Sequence, residues 1–362
     1  MGSAGVTGLT CALFLADQDV QVTIVAAHMP GDQEGVEYSS PWAGAHWLTA
    51  ATAVTGIPTT CNWDLQTYEW WTKLWERESK GPSTPSPSDS YCYYDTSPGP
   101  QDLWWAPYVQ SFKQLSPFNE PVSTLNANRP SDVPNVGTAM HFRAPSLNVP
   151  RYLFWLQDLA RQRGVQLIKM RLPVERGLPG AMATADEMTV LHGRRKADVF
   201  VNATGLAARK LCGDATVFPI RGQTVLVRGE ATATRTRIAS DGNRVYCIPR
   251  PGSGTSILGG TRDKGEWDTT PDANITRRIL ALNALHAPEL LTGPEGGFEV
   301  MSVQCGLRPG REHGPRVEQE VVGTKKVVHA YGHGGSGYQH SVGSAREVVR
   351  LVRASLQVGP RL

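Results

Sequence analysis

The chain has 362 residues, 40% hydrophobic and 19% charged, with a formal net charge of +3. That length buries a large core and suits two intimate domains. No basic block marks a nucleic-acid partner, and the longest apolar run, Cys11 to Ala16, is far too short to span a membrane. The six cysteines are scattered without CxxC or ligand spacing, so they read as reduced residues of an intracellular protein and define no metal site. No cleavable signal peptide is visible.

Gly5-Val6-Thr7-Gly8-Leu9 opens a run whose apolar positions Leu9, Ala12, Leu13 and Ala16 suit a helix, and Val20 to Ala26 reads as a strand. This is the second half of a dinucleotide-binding βαβ unit. Glycines there let backbone and a helix N-terminus approach a pyrophosphate. Ser3, Ala4, Gly5, Val6, Thr7 and Gly8 are therefore candidate cofactor contacts. Taken alone the motif is weak. The first glycine of GxGxxG falls on Ser3 (or an extra Ala4 displaces Gly2), no strand precedes the loop, and Ala26-Ala27-His28 stands where a ribose-binding acid is expected.

Tyr38 to Trp47 packs small residues between two tryptophans and by itself reads as a tight core turn. Cys61 to Trp75 suits an aromatic-rich helix through Leu65, Tyr68, Trp71 and Trp75. Gly81 to Pro100, dense in Pro, Ser, Gly and Asp, reads as a long loop. Pro150 opens a helix with Leu153, Leu156, Leu159 and Ala160 on one face, stopped at Gly164. Val165 to Met170 is a strand, and Val199 to Asn202 is a buried parallel-type strand ending in Ala203-Thr204-Gly205. Strands follow at Arg221–Val227, Tyr246–Gly252 and Ser256–Arg262, then a helix marked by Ile275, Ile279 and Leu282. The order of these elements implies interleaved domains.

Near the end, Val327-Val328-His329-Ala330-Tyr331-Gly332-His333-Gly334-Gly335-Ser336-Gly337 leads into an amphipathic run through Ala345, Val348, Val349, Val352 and Leu356. Strand, glycine loop and helix let backbone approach a flat or anionic ligand. A glycine-rich loop alone is more often a plain turn. The ordered string, through Gly343 and Ala345, resembles the C-terminal signature of the D-amino-acid oxidase and D-aspartate oxidase flavoprotein family. Further similarity lies in 306–309, 256–267 and, in a fungal-type form, 38–47.

The resemblance implies an α/β fold: a Rossmann-like FAD-binding domain with a parallel sheet, interleaved with an α+β substrate-binding domain built on a mixed sheet. The expected division is 1–60, 140–222 and 300–362 for FAD, and 61–139 and 223–299 for substrate. FAD would lie along Ser39, Ser40, Ala43, Gly44 and Ala45, Thr204 and Gly205, and Gly334, Gly335, Ser336, Gly337, Tyr338 and Gln339. Family members normally begin with a hydrophobic strand central to the sheet, so the expectation is a chain shortened at its start, with weakened FAD affinity.

The implied reaction is oxidative deamination of a D-amino acid by O2, giving a 2-oxo acid, ammonia and hydrogen peroxide. A planar guanidinium is the obvious grip for an α-carboxylate, and Arg308 in Gly-Leu-Arg-Pro matches the family's. Tyr246 matches a tyrosine touching the same carboxylate, Gly335 a carbonyl that accepts from the amine, and Gln339 a residue near the flavin. Arg262, in Gly-Gly-Thr-Arg-Asp-Lys-Gly-Glu-Trp, resembles the D-aspartate oxidase string in which arginine holds the side-chain carboxylate. D-aspartate is thus favoured, with neutral D-amino acids or a non-catalytic relative as alternatives. A second family arginine falls near Ser240, between Arg237 and Arg244. Family membership also makes Pro360-Arg361-Leu362 a degenerate peroxisomal signal, and homo-oligomerisation is left open.

Overall fold

The computed structural model describes residues 4–32, 35, 37–49, 59–77, 81 and 83–357. In chain order, helix α1 (Val6–Ala16) leads to strand β1 (Thr23–Ala26), helix α2 (Thr59–Arg77) and strand β2 (Ser86–Tyr94). Strand β3 (Gln110–Leu115), helix α3 (Val122–Asn128), strand β4 (Thr138–Ser146), helix α4 (Val149–Gln162), strand β5 (Gln166–Lys169) and helix α5 (Gly177–Leu191) follow. Then come strand β6 (Val199–Asn202), helix α6 (Ala208–Leu211) and strands β7 (Val217–Arg228), β8 (Thr234–Ile238), β9 (Arg244–Arg250), β10 (Thr255–Gly259) and β11 (Asp263–Lys264). Helix α7 (Ala273–His286), strands β12 (Val300–Arg311), β13 (Gln319–Val322) and β14 (Lys325–His329), and helix α8 (Ser341–Gln357) complete the chain.

A nine-stranded mixed sheet runs β11-β7-β10-β9-β8-β2-β4-β3, with β12 on the other edge of β7. Only the β2–β8 pair in it is parallel. Two smaller sheets carry the parallel pairs β1–β5 and β6–β14, the latter extended antiparallel by β13. Helices α1, α4 and α8 pack together beside these sheets, and α2 joins α8 to the large sheet. The largest core cluster binds them, through Leu9 and Leu13 of α1, Trp71 of α2, Tyr152 and Leu153 of α4 and Phe142 of β4. The members on α1, α2 and α4 are apolar or aromatic at helical spacing, which is why those helices were legible, whereas β4 was not anticipated.

The reading of 81–100 as loop is corrected: Ser86–Tyr94 is a nine-residue strand in the interior of the large sheet. Its first half, Ser-Pro-Ser-Asp, has turn composition. Pairing with β4 and β8 supplies its ladder, and burial of Ser90, Cys92, Tyr93 and Tyr94 anchors it. Helix α5 was not anticipated either. Gly177, Pro179 and Gly180 break its pattern, and packing of Leu178, Ala181 and Met182 restores it. Among the described residues no helix is long and apolar enough to cross a membrane.

Candidate active site

A long cleft runs between the N-terminus of α1 and the β7–β9–β10–β12 face of the large sheet. At one end Gly5 caps α1 in an extended conformation with no side-chain cap. The first turn, Gly5 to Gly8, lines the cleft. An uncapped helix start presents peptide N–H groups and the positive end of the macrodipole. Ser40 Oγ accepts from Val6 N–H at 3.1 Å, fixing the Ser39–Ala45 segment against that turn. Tyr338 Oη donates to Ser40 O at 2.9 Å, which ties the C-terminal glycine loop to the same segment.

The other end is built by strand register. Gly306 of β12 stands opposite Gly222 of β7, and Arg308 lies two residues further along the same strand face. Gly222 leaves room for the Arg308 guanidinium, which a Cβ there would strike. Arg308 Nη1 donates to Thr261 O at 3.1 Å, so its direction is set by backbone. Gly259 of β10 pairs with Tyr246 of β9 on one side and Thr224 of β7 on the other, and the Tyr246 ring lies over it. Gly335 sits above the Arg308 side chain.

Arg244, Arg262 and Arg308 all line this end of the cleft. None has a carboxylate partner among the described residues, since Asp263 pairs instead with Arg221 at 3.3 Å. Arg262 is exposed at the rim, yet the cleft wall partly desolvates it and Arg244 and Arg308 face it with like charge. These causes, burial first, hold its pKa below the ordinary arginine value. Arg237 is ruled out as the second cleft arginine. It is buried against Asp95 at 2.8 Å and Pro134 O at 2.6 Å. Ser240 is also away from the cleft, its Oγ 3.1 Å from Thr96 Oγ1.

Behind the glycine loop lies a buried polar cluster. His333 lines the cleft, with Nδ1 3.3 Å from His340 Nδ1, and His340 Nε2 is 3.3 Å from Asp64 Oδ1. Trp63 packs against both imidazoles, and Gln339 is buried beside Asp64. Burial pushes the Asp64 carboxyl up to about 7 and pulls His333 down to about 4 and His340 to about 3. The two imidazoles are thus held neutral, and Asp64 keeps its proton until the pH approaches about 7. For Asp64 the folded pKa exceeds the unfolded one, so stability is full below about pH 4 and is lost as pH rises through about 7. Asp64→Asn keeps the neutral shape, so its melting temperature should exceed that of the wild type at pH 8 and match it at pH 4. The stability difference at pH 8 is bounded at about 4 kcal/mol, and thermal melts at both pH values check its sign.

Every predicted site residue among those described lines the cleft except Ala4. Ala4 is buried behind α1, donates to His28 O at 2.7 Å and accepts from Tyr38 Oη at 2.9 Å. Ser3 and Pro360–Leu362 lie outside the described residues. Arg244, Glu37 and His46 also line the cleft and were not singled out as site residues. Arg244 was findable: it is two residues from Tyr246 on one strand, hence on the same face. Glu37 brings a carboxylate to the α1 end, well past the Ala26–His28 position where an acid was sought.

A helix N-terminus joined through a glycine-walled cleft to a cluster of guanidiniums suits a dinucleotide cofactor at one end and an anionic group at the other. The chain belongs to the FAD-dependent oxidoreductase (DAO) family, whose profile matches residues 4–351. It is 34% identical over 360 residues to a D-amino-acid oxidase from Fusarium vanettenii, covering 96% of this chain and 94% of the relative. It is 30% identical over 373 residues to a D-aspartate oxidase from Talaromyces thermophilus, covering 97% and 94%. Among solved structures, glycine oxidase from Bacillus cereus superposes with a TM-score of 0.70 at 16% identity, covering 97% of this chain and 93% of the other.

FAD is the cofactor of this family, and the residues present fit it. The start of α1, where Gly5 offers no capping side chain and Ser40 takes only the Val6 N–H, suits a pyrophosphate. Gly44 and Gly306 leave Ile248 and Trp42 close to backbone, where a Cβ would collide.

Proposed function

We propose that this protein oxidises D-amino acids with FAD and O2, with preference for acidic side chains, yielding the 2-oxo acid, ammonia and hydrogen peroxide. The observation that carries the acidic preference is the convergence of Arg244, Arg262 and Arg308 on one cleft end without a carboxylate partner among the described residues. Three like charges there cost stability until a substrate of opposite charge supplies the partner. A dicarboxylate neutralises two of them, and a monocarboxylate only one.

In this reading Arg308 holds the α-carboxylate, assisted by the Tyr246 hydroxyl, and the Gly335 carbonyl accepts from the substrate amine. Arg262, with Arg244 beside it, holds the side-chain carboxylate. The amine must be neutral to release its electron pair as the Cα–H leaves, so the protein's work is positioning. Bound FAD would supply the two-electron acceptor, with O2 as the final oxidant. The imino acid then adds water and loses ammonia. Gly5–Gly8, Ser39, Ser40, Ala43–Ala45, Thr204, Gly205 and Gly334–Gln339 would hold the cofactor, with Glu37 placed for a ribose hydroxyl. We assign 1–60, 140–222 and 300–362 to FAD binding and 61–139 and 223–299 to substrate, with β4, β7 and β12 joining the two units through the large sheet.

The relatives include proteins named D-amino-acid oxidase and D-aspartate oxidase, so the test is a peroxide assay across D-Asp, D-Glu, D-Ala and L-Asp. D-Asp should give the highest kcat/KM and L-Asp none, while D-Ala above D-Asp would assign the protein to neutral substrates. A second test uses Gly222→Ala. The added Cβ meets only the end of a flexible side chain, so the fold should survive while Arg308 is displaced. KM for D-Asp and D-Ala should both rise about tenfold, roughly one hydrogen bond's worth, with flavin content unchanged.

A further inference from the structure

At the substrate end of the cleft, Arg244, Arg262 and Arg308 bring together three positive charges. His46 beside them adds none, because burial and then the Arg244 charge pull its pKa down to about 4. Among the described residues the only carboxylate lining the cleft is Glu37. It lies at the α1 end and pairs there with Arg171 at 2.9 Å. D-aspartate with a neutral amine carries two negative charges, so it leaves one guanidinium without a counter-charge.

The unmatched charge is at the rim. Arg308 is directed by Thr261 O at 3.1 Å, whereas the Arg244 and Arg262 guanidiniums meet no protein acceptor among the described residues. These two are near enough for Arg244 to contribute, after burial, to the lowered pKa of Arg262. Beside Arg244 the rim continues as Gly242 and Asn243, both exposed, so a group bulkier than a carboxylate meets an open edge. A carboxylate offers two oxygens and one negative charge. A phosphate monoester offers three terminal oxygens and close to two charges, and guanidinium forks bind it bidentately.

We propose that Arg244 and Arg262 form a phosphate subsite, and that the protein also oxidises D-amino acids whose side chain ends in a phosphate monoester. This rests on the proposed function, with Arg308 on the α-carboxylate, and extends it to a substrate with three negative charges, one for each guanidinium. The reaction at Cα is unchanged. Two electrons and two protons, from Cα–H and N–H, leave the substrate as its C–N bond becomes C=N, and O2 takes them up as hydrogen peroxide. Water then displaces ammonia from the imino acid. The phosphate ester stays intact and serves only to hold the side chain.

The experiment measures peroxide formation from O-phospho-D-serine, D-Asp and D-Ala by the purified holoenzyme and its Arg244→Ala variant. O-phospho-D-serine should match or exceed D-Asp in kcat/KM at pH 8. The ratio of the two should climb about tenfold from pH 5 to pH 8, as the phosphate loses its second proton near pH 6. Arg244→Ala should cost O-phospho-D-serine about 10- to 100-fold and D-Asp at most about threefold. A read-out without turnover uses ligands that lack the amine: at equal concentration phosphoglycolate should raise the melting temperature most, succinate less and propionate least. Oxidation of D-Asp with O-phospho-D-serine below a tenth of its kcat/KM overturns this inference alone. So does an equal loss for both in Arg244→Ala, or a melting shift with phosphoglycolate no larger than with succinate. No peroxide from any D-amino acid, D-Asp included, overturns the proposed function and this activity with it.

Discussion

Arg308→Ala should lower kcat/KM for D-Asp and D-Ala alike, by about 10²- to 10³-fold, while the purified protein keeps its flavin. Both substrates present the same α-carboxylate, and Arg308 is the guanidinium held by backbone at Thr261 O and overlain by Gly335. Losing two charge-assisted hydrogen bonds removes about 3–4 kcal/mol from transition-state binding. The measurement is steady-state kcat/KM for both substrates, with the flavin-to-protein absorbance ratio as control. D-Ala turnover at wild-type level would remove Arg308 from the α-carboxylate site.

Arg262→Tyr should produce a crossing of preferences instead of a uniform loss. If Arg262 holds the side-chain carboxylate, D-Asp loses that partner while Arg308 keeps its own. Two features set the size. Arg262 is at the exposed rim, where solvent screens the pair, and Arg244 remains nearby to share the charge. The loss for D-Asp is therefore about 10- to 100-fold, roughly 1.5–3 kcal/mol. D-Ala should be unchanged or slightly improved, because two like charges no longer press on one another. Adding Arg244→Ala should deepen the D-Asp loss beyond either single variant while leaving D-Ala unaffected. A parallel fall for both substrates in Arg262→Tyr would make Arg262 a structural residue.

The family and most elements were legible because their signals are local. Apolar residues at helical spacing mark α1, α2, α4, α7 and α8. The 332–337 loop declares itself by its glycines, two of which adopt positive φ, +84° at Gly332 and +57° at Gly334. Ser86–Tyr94 hid because its polar half has loop composition and its ladder comes from residues about 50 and 145 positions away in sequence.

Arg237, Arg244 and Arg262 show where local reading stops. All three are arginines on or beside strands, chemically alike in the sequence. Packing alone separates them: Arg237 turns into the core to meet Asp95, while Arg244 and Arg262 face the cleft with Arg308. That convergence rests on sheet register, with Gly306 opposite Gly222 and Gly259 between Tyr246 and Thr224, and a one-residue slip would turn these side chains to the other face. By itself, then, the sequence determined the glycine loops, the amphipathic elements and the family, since each depends on residues within a turn or two of one another. Only the tertiary structure decided which arginines share a site and that β2 is a strand, because each depends on pairing between segments far apart in the chain.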